Sequence, residues 1–410
     1  MKTRRNIFFL IIGILLLEIC KRVITGSGGS LSYFISILIG CIQFFIAIAF
    51  LLRIIVNALF SKKPFFKQNR FLGLGLIILF FILAEFTTVF FLNNPSYIPK
   101  SLYSSYADYY DFFDSRLIQY EKDQMVHDSS LFYRFKANNN FNFSNREFNN
   151  NYSINSFGLR DDEKSLKSPV IICLGDSYSM GWGVEQGESY AQQIEKKAGL
   201  VVLNAGISSY GTARELKLLQ LLDTSGVKFI IIQYCLNDYT ENKMSVENHF
   251  NLNISSKNSF DSVQQSYRRG RYYFPGKHFL SIGQLFLKKC VNNYWPVFKV
   301  RTIRETSVED VRVHASVFID NLYHSGISFN KVHVIVIFLD SYAHLQNPFL
   351  AEAGQLSNAA PYKSKFDNRL HFIEMGDVLN KDDYYLLDLH LKESGHKKIA
   401  DKIWDEIRKY

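Results

Sequence analysis

Hydrophobic positions crowd into the first 93 residues and then settle into a different rhythm. Three apolar stretches open the chain and predict membrane helices over 7–24, 31–52 and 71–92. A helix needs about 20 apolar residues to cross a bilayer. The second and third stretches meet that length; the first is short and is closed by Glu18, Lys21 and Arg22. Lys2, Arg4 and Arg5 precede it as in a signal peptide, but no clear small-x-small cleavage site follows. The loop 61–70 carries Lys62, Lys63, Lys67 and Arg70, which assigns it to the cytoplasmic side. With the N-terminus on that side too, three spans place residues from about 94 onward outside. Glu85, the one charge in the third stretch, is expected to face a neighbouring helix or to be protonated.

Beyond the anchor the pattern changes twice. Residues 94–160 read as a connector that passes into short strands and turns, rich in Asn, Phe and Ser over 131–160. From Pro169 onward, continuous apolar runs alternate with amphipathic segments. VIICLGD, VVLNAG, VKFIIIQYC, VHVIVIFL and LHFIEM read as strands. Glu188–Ala198, Ala213–Asp223, Val308–Tyr323 and Glu393–Arg408 read as helices. Strands that are apolar throughout, separated by helices, predict an α/β fold with a parallel sheet covered on both faces. The domain is expected over 161–410, interrupted at 239–305 by a polar and aromatic insertion of the kind that forms a lid or a binding surface.

Composition refines this division. The formal charge of +9 lies partly in the flanks of the apolar segments, and no zinc-finger spacing or basic cluster points to nucleic acid. Cysteines stand at 20, 41, 173, 235 and 290. With no CxxC among them, neither a disulfide framework nor a metal site is indicated, and Cys173 and Cys235 are expected as small buried residues.

Four short blocks carry the chemistry. In LGDSYSMGWGV, Ser177 follows a strand directly; in an open parallel sheet, ligands bind beyond the carboxyl ends of strands. A serine hydroxyl needs a base within hydrogen-bonding reach. In VLNAGISSYG, Gly206 again follows a strand. In YCLND, Asn237 can offer its amide to a developing oxyanion, joining the N–H groups of Ser177 and Gly206. In LLDLHLKESGHKKIADKI, His390 is the candidate general base and Asp388 its orienting partner. His396 is a rival base, but it falls inside the terminal helix, where packing is the expected role. Asp238 is expected to fix the loop around Asn237. Trp182 is a candidate for the pocket mouth. Arg268, Arg269 and Arg271, beside Tyr272, Tyr273 and Phe274, are candidates for binding an anionic glycan or lipid headgroups.

Taken together, Gly175-Asp176-Ser177, Gly206, Asn237-Asp238 and Asp388/His390 resemble the four blocks of the GDSL/SGNH hydrolase family, over roughly 155–240 and 370–409. NSFGLRDDE resembles the lead-in of bacterial, envelope-linked members. The resemblance implies a flavodoxin-like three-layer α/β/α domain, no metal or other cofactor, and hydrolysis or transfer of acyl esters through an acyl-serine. There are two departures. Cys235 stands where many members have glycine, and the last block is Asp-x-His where Asp-x-x-His is commoner. The expectation is a serine esterase anchored in a bacterial inner membrane, its catalytic domain in the periplasm or outside, acting on an O-acylated glycan. One alternative is an O-acyltransferase working with an acyl-donor or polysaccharide-assembly partner. The other is a decayed glycan-binding or scaffold protein.

Overall fold

In the computed structural model, the described residues are 70–294 and 308–410, with most of 39–55. The chain divides into two compact units, Met1–Ser115 with Ser262–Thr302, and Arg116–Asp261 with Ile303–Tyr410. Residues 262–302, expected within an insertion of the sheet domain, group with the N-terminal unit. Residues 116–160, expected as connector, group with the sheet unit.

In the first unit, the third apolar stretch forms the helix Arg70–Asn93. Its segment Gly75–Asn93 is long and apolar enough to cross a membrane. Ile78, Leu79, Ile82, Leu83, Phe86 and Phe90 are exposed along it. Of the other expected spans, 7–24 lies outside the described residues, and 31–52 is described only in part, where it is helical. Glu85 is buried, and its partners come from far along the chain. Its carboxylate accepts from the N–H groups of Phe279 (2.9 Å) and His278 (3.4 Å) and from the Tyr273 hydroxyl (3.2 Å). Those N–H groups belong to the first turn of the helix Lys277–Tyr294, where backbone donors have no intrahelical acceptor. The helix Lys100–Tyr109 joins the same helix through Tyr109 Oη with His278 Nδ1 (2.6 Å) and through the Asp108–Lys289 ion pair (2.8 Å).

The second unit is built on five parallel strands, β1 (Ile171–Leu174), β2 (Val202–Asn204), β3 (Phe229–Tyr234), β4 (His333–Phe338) and β5 (Leu370–Ile373). Their order across the sheet is β2-β1-β3-β4-β5. This is the flavodoxin-like order, and it makes the end of β1 the point where the winding reverses. Successive strand residues point to opposite faces, and here both faces are dry. Ile172, Leu174, Ile230, Ile232, Val334 and Val336 join the core formed with helices Thr212–Leu219, Val308–Tyr323 and Phe349–Ser357. Ile171, Cys173, Ile231, Ile335 and Ile337 join the core formed with Tyr190–Ala198 and Glu393–Ile407. The fold is therefore a three-layer α/β/α sandwich, as the strand runs predicted.

The Asn-rich stretch before the sheet forms two antiparallel hairpins, Met125–Asp128 with Phe132–Phe135 and Asn140–Ser144 with Asn149–Ser153. In the second hairpin Phe143 and Tyr152 are buried while Asn140, Asn142, Asn149 and Asn151 are exposed. Its asparagines thus form the wet face of a short amphipathic ribbon.

Candidate active site

Ser177 begins a single helical turn, Ser177–Met180, directly after β1. Asp176 caps that turn, its Oδ1 accepting from Tyr178 N–H at 3.0 Å. At Gly175 an added Cβ would lie 2.5 Å from Gln233 Oε1, which also accepts the Asp176 N–H at 3.0 Å. Only a glycine lets the chain turn so sharply against β3.

The loop before the terminal helix comes from 213 residues away. It brings His390 Nε2 to 2.8 Å from Ser177 Oγ, and His390 Nδ1 to 2.5 Å from Asp388 Oδ1. A carboxylate only accepts, so Nδ1 carries the hydrogen and Nε2 offers its lone pair to the serine hydroxyl. The Asp388 side chain is 2% exposed and that of His390 22%, so of the two the imidazole faces the open side. Leu389 between them has φ +62°, a left-handed conformation that costs a leucine about 1–2 kcal/mol. This twist lets a spacing of two residues close an Asp–His hydrogen bond. Tyr178 and Trp182 flank the imidazole, with ring centroids 4.9 and 5.1 Å away.

Asn237 lies three residues beyond β3, and its amide donates to Asp176 Oδ2 at 3.3 Å. Burial pushes the Asp176 carboxyl above its ordinary range, while Tyr178 N–H, His390 and Asn237 favour its charged form. The Gly206 N–H donates to Asn204 Oδ1 at 3.1 Å. An added Cβ there would lie 2.7 Å from the Ser179 carbonyl carbon, so the residue must be glycine for the loop after β2 to seat against the serine turn. Of the two flanking candidates for an oxyanion hole, the single Gly206 N–H is thus held by Asn204, while the Asn237 amide gives one of its two hydrogens to Asp176. Ser177 N–H stands at the first position of its turn, where a backbone donor lacks an intrahelical partner.

A cavity of about 400 Å³ has Asn237 in its wall. Ser209, Tyr210 and Arg214 line it from the β2 side, Thr240 and Glu241 from the β3 side, and Phe132 from the first hairpin. Arg214 Nε donates to Glu241 Oε1 at 2.8 Å, so the cavity presents a compensated ion pair and not a bare charge.

The remaining sequence candidates fall as follows. Trp182 is 2% exposed and packs between His390, Phe143 and Phe148, beneath the imidazole. Arg268 and Arg269 end the helix Lys257–Gly270 in the first unit, where Arg271 donates to the Ser115 carbonyl at 2.8 Å and to Tyr267 Oη at 2.8 Å. His396 is buried in the terminal helix, stacked on Tyr190 and accepting its N–H at 3.3 Å; burial drives its pKa down to about 3. Asp238 accepts from Thr212 Oγ1 at 2.8 Å and ties the loop after β3 to the helix after β2. Cys235 is buried, its thiol 3.5 Å from Asp340 Oδ2. Among the described residues, no group of three or more His, Cys, Asp or Glu side chains is arranged to hold a metal ion.

Two residues that support the site carried no role in the sequence reading. Arg160, from the NSFGLRDDE lead-in, is fully buried and donates to the carbonyls of Gly181 (2.5 Å) and Val184 (2.7 Å). Its guanidinium also lies 3.6 Å from the centroid of Tyr152, so it fixes the loop after the serine turn to the hairpin. Its neighbour Asp161 accepts from Asn204 N–H at 2.6 Å, and burial raises its pKa to about 7. The second residue is Glu147 at the hairpin turn, whose carboxylate accepts from the loop that carries Asp388.

No family model matches the chain, and no curated protein matches it. Solved structures similar to it include a protein of Desulfitobacterium hafniense described as lipolytic and of the G-D-S-L family. That protein is 12% identical; the match covers 57% of this chain and 97% of that one, with a TM-score of 0.29. TesA is 11% identical over 58% of this chain and 98% of its own, with a TM-score of 0.30. A carbohydrate esterase family 2 enzyme with a carbohydrate binding domain, from Corynascus thermopiles, is 12% identical. It covers 58% of this chain and 65% of its own, with a TM-score of 0.32.

Proposed function

We propose that this chain is a serine ester hydrolase of the GDSL/SGNH type, tethered to a membrane by its N-terminal helices. The observation that carries the proposal is the hydrogen-bonded series Ser177 Oγ, His390 Nε2, His390 Nδ1, Asp388 Oδ1, at 2.8 and 2.5 Å. It stands at the carboxyl end of β1, where a doubly wound sheet binds its ligands.

The chemistry follows from that order. His390 Nε2 takes the proton of Ser177 as Oγ bonds to the ester carbonyl carbon. Asp388 stabilises the resulting imidazolium. The oxyanion is met by the N–H of Ser177 and the second N–H of the Asn237 amide, with the Gly206 N–H turning from its present acceptor. Collapse breaks the carbon–oxygen bond to the alcohol, which leaves with the proton from His390 and an acyl-serine behind it. Water, deprotonated by the same imidazole, adds to the acyl carbon, and Ser177 departs with its proton restored.

The cavity beside Asn237 supports an alcohol rich in hydroxyls. Its amide, hydroxyl and paired guanidinium groups suit a polyol, and Phe132 offers an apolar face for a sugar ring. An O-acylated glycan on the outer side of the membrane fits both this lining and the anchor.

The test is to treat the full chain in detergent with a fluorophosphonate probe and to identify the labelled peptide. Labelling at Ser177, together with hydrolysis of p-nitrophenyl acetate that Ser177→Ala abolishes, supports the reading. Hydrolysis that survives Ser177→Ala refutes it.

A further inference from the structure

The loop that carries Asp388 and His390 is held by side chains from elsewhere in the fold: Tyr178 Oη donates to the Leu389 carbonyl at 3.3 Å, and Glu147 gathers three of its backbone N–H groups. Glu147 sits at the turn of the hairpin Asn140–Ser144/Asn149–Ser153, about 240 residues away in sequence. Its Oε1 accepts the N–H of Leu386 at 2.8 Å. Its Oε2 accepts the N–H groups of Leu387 at 2.7 Å and Asp388 at 2.9 Å. Three successive backbone donors turned toward one carboxylate form an anion-binding nest, and here the anion is built into the chain. The next hairpin residue, Phe148, packs on Trp182 and on Tyr385, with ring centroids 6.1 and 5.6 Å away. Trp182 lies under the imidazole of His390. Residues 147 and 148 therefore brace both partners of the Asp388–His390 pair, one through the backbone and one through the ring beneath.

The loop needs such a brace. Leu389 is held left-handed with no glycine to ease it, and strained backbone persists only where its surroundings over-determine it. Relaxing Leu389 would swing Asp388 and His390 apart, because the two side chains are separated by that single residue.

We propose that Glu147 is a positioning residue of this active site: by gathering the N–H groups of Leu386, Leu387 and Asp388, it holds the loop in the twisted form that aims Asp388 at His390 Nδ1. The proposal rests on the hydrolase reading for its catalytic consequence, but the geometry it asserts can be read without catalysis. A glutamine at 147 keeps the length and loses the fit. An amide oxygen has two lone pairs for three donors, and its NH2 group would face a backbone N–H. An aspartate keeps the charge but is one methylene short.

The full chain in detergent is compared with Glu147→Gln, Glu147→Asp and Glu147→Ala. Three quantities are measured: kcat and KM on p-nitrophenyl acetate, the melting temperature, and the far-downfield proton resonance of His390 Nδ1–H, assigned by its loss in His390→Gln. Glu147→Gln and Glu147→Ala are expected to lose or broaden the resonance and to lower kcat about 10- to 100-fold, with KM within about twofold. Glu147→Asp is expected to keep part of both. An unchanged resonance in folded Glu147→Gln overturns the proposal, as does a kcat within twofold of the parent. If the parent chain shows no Ser177-dependent hydrolysis, the hydrolase reading fails, while the resonance still decides what Glu147 does.

Discussion

Replacing Asp388 by asparagine tests the site at its most informative point, because the change preserves shape and removes one charge. The Asp388 side chain is 2% exposed and lies 2.5 Å from His390 Nδ1. In the transition state the imidazole becomes a cation, its charge centred about 4 Å from that of the carboxylate. At an effective dielectric constant of about 20 this attraction is worth about 4 kcal/mol. Each 1.36 kcal/mol is roughly a factor of ten in rate, so Asp388→Asn should lower kcat about 10³-fold. The ground-state complex carries no imidazolium, so KM should barely move. Stopped-flow and steady-state hydrolysis of p-nitrophenyl acetate by the full chain, with Ser177→Ala as the background, give both numbers. The melting temperature should remain within a few degrees, since asparagine can still accept the Nδ1 hydrogen bond. A loss of less than tenfold in a fully folded protein would show that no imidazolium develops opposite Asp388, and the proton path drawn through His390 would be wrong.

Three further outcomes follow from other parts of the structure. Asn237→Ala should lower kcat about 10²- to 10³-fold by removing one oxyanion donor, with labelling of Ser177 slowed in parallel; equal rates would remove Asn237 from the chemistry. Arg160→Met should destabilise the protein by about 3–5 kcal/mol in urea unfolding, because the buried carbonyls of Gly181 and Val184 lose charge-assisted donors. For His396, burial moves the pKa from 6.5 to about 3, so the native state keeps the ring neutral while the unfolded chain protonates it. Stability is therefore unaffected above 6.5 and falls as pH drops toward 3, by roughly 5 kcal/mol in total. His396→Asn should flatten that acid slope in unfolding experiments at stepped pH, and a slope unchanged by the substitution would show that the ring is hydrated in the native state.

The sheet was legible because β1, β3 and most of β4 are buried on both sides and read as nearly continuous apolar runs, whereas β5 is only part-buried over its first three residues. The convergence of Ser177, Asn237 and His390 was legible for a related reason: parallel strands end on one side, and each residue stands just past a strand or just before the last helix. What stayed hidden depends on contacts that no local pattern encodes. Glu147 lies among asparagines in a hairpin whose ordinary sequence gives no sign of the loop it meets. Leu389 carries a left-handed backbone that a leucine does not advertise. Arg160 stood within a motif, yet three of its carbonyl acceptors, Met180, Gly181 and Val184, lie 20 or more residues downstream. Arg268, Arg269 and Arg271 stand in chain order between strands of the sheet, yet they group with the N-terminal unit. The return of residues 262–302 to the N-terminal unit is a tertiary fact, written in pairings such as Glu85 with Phe279.

That last pairing has a bearing on how the protein is made. Glu85 leaves the ribosome 194 residues ahead of the backbone donor that will satisfy it. At about 5–20 residues per second, synthesis of the intervening chain takes on the order of 10–40 s. Throughout that interval an apolar helix carries a carboxyl group with its eventual donors not yet in existence. The helix, long and apolar enough to cross a membrane, is thus made in full before residues 273–279 supply the partners of its one carboxylate.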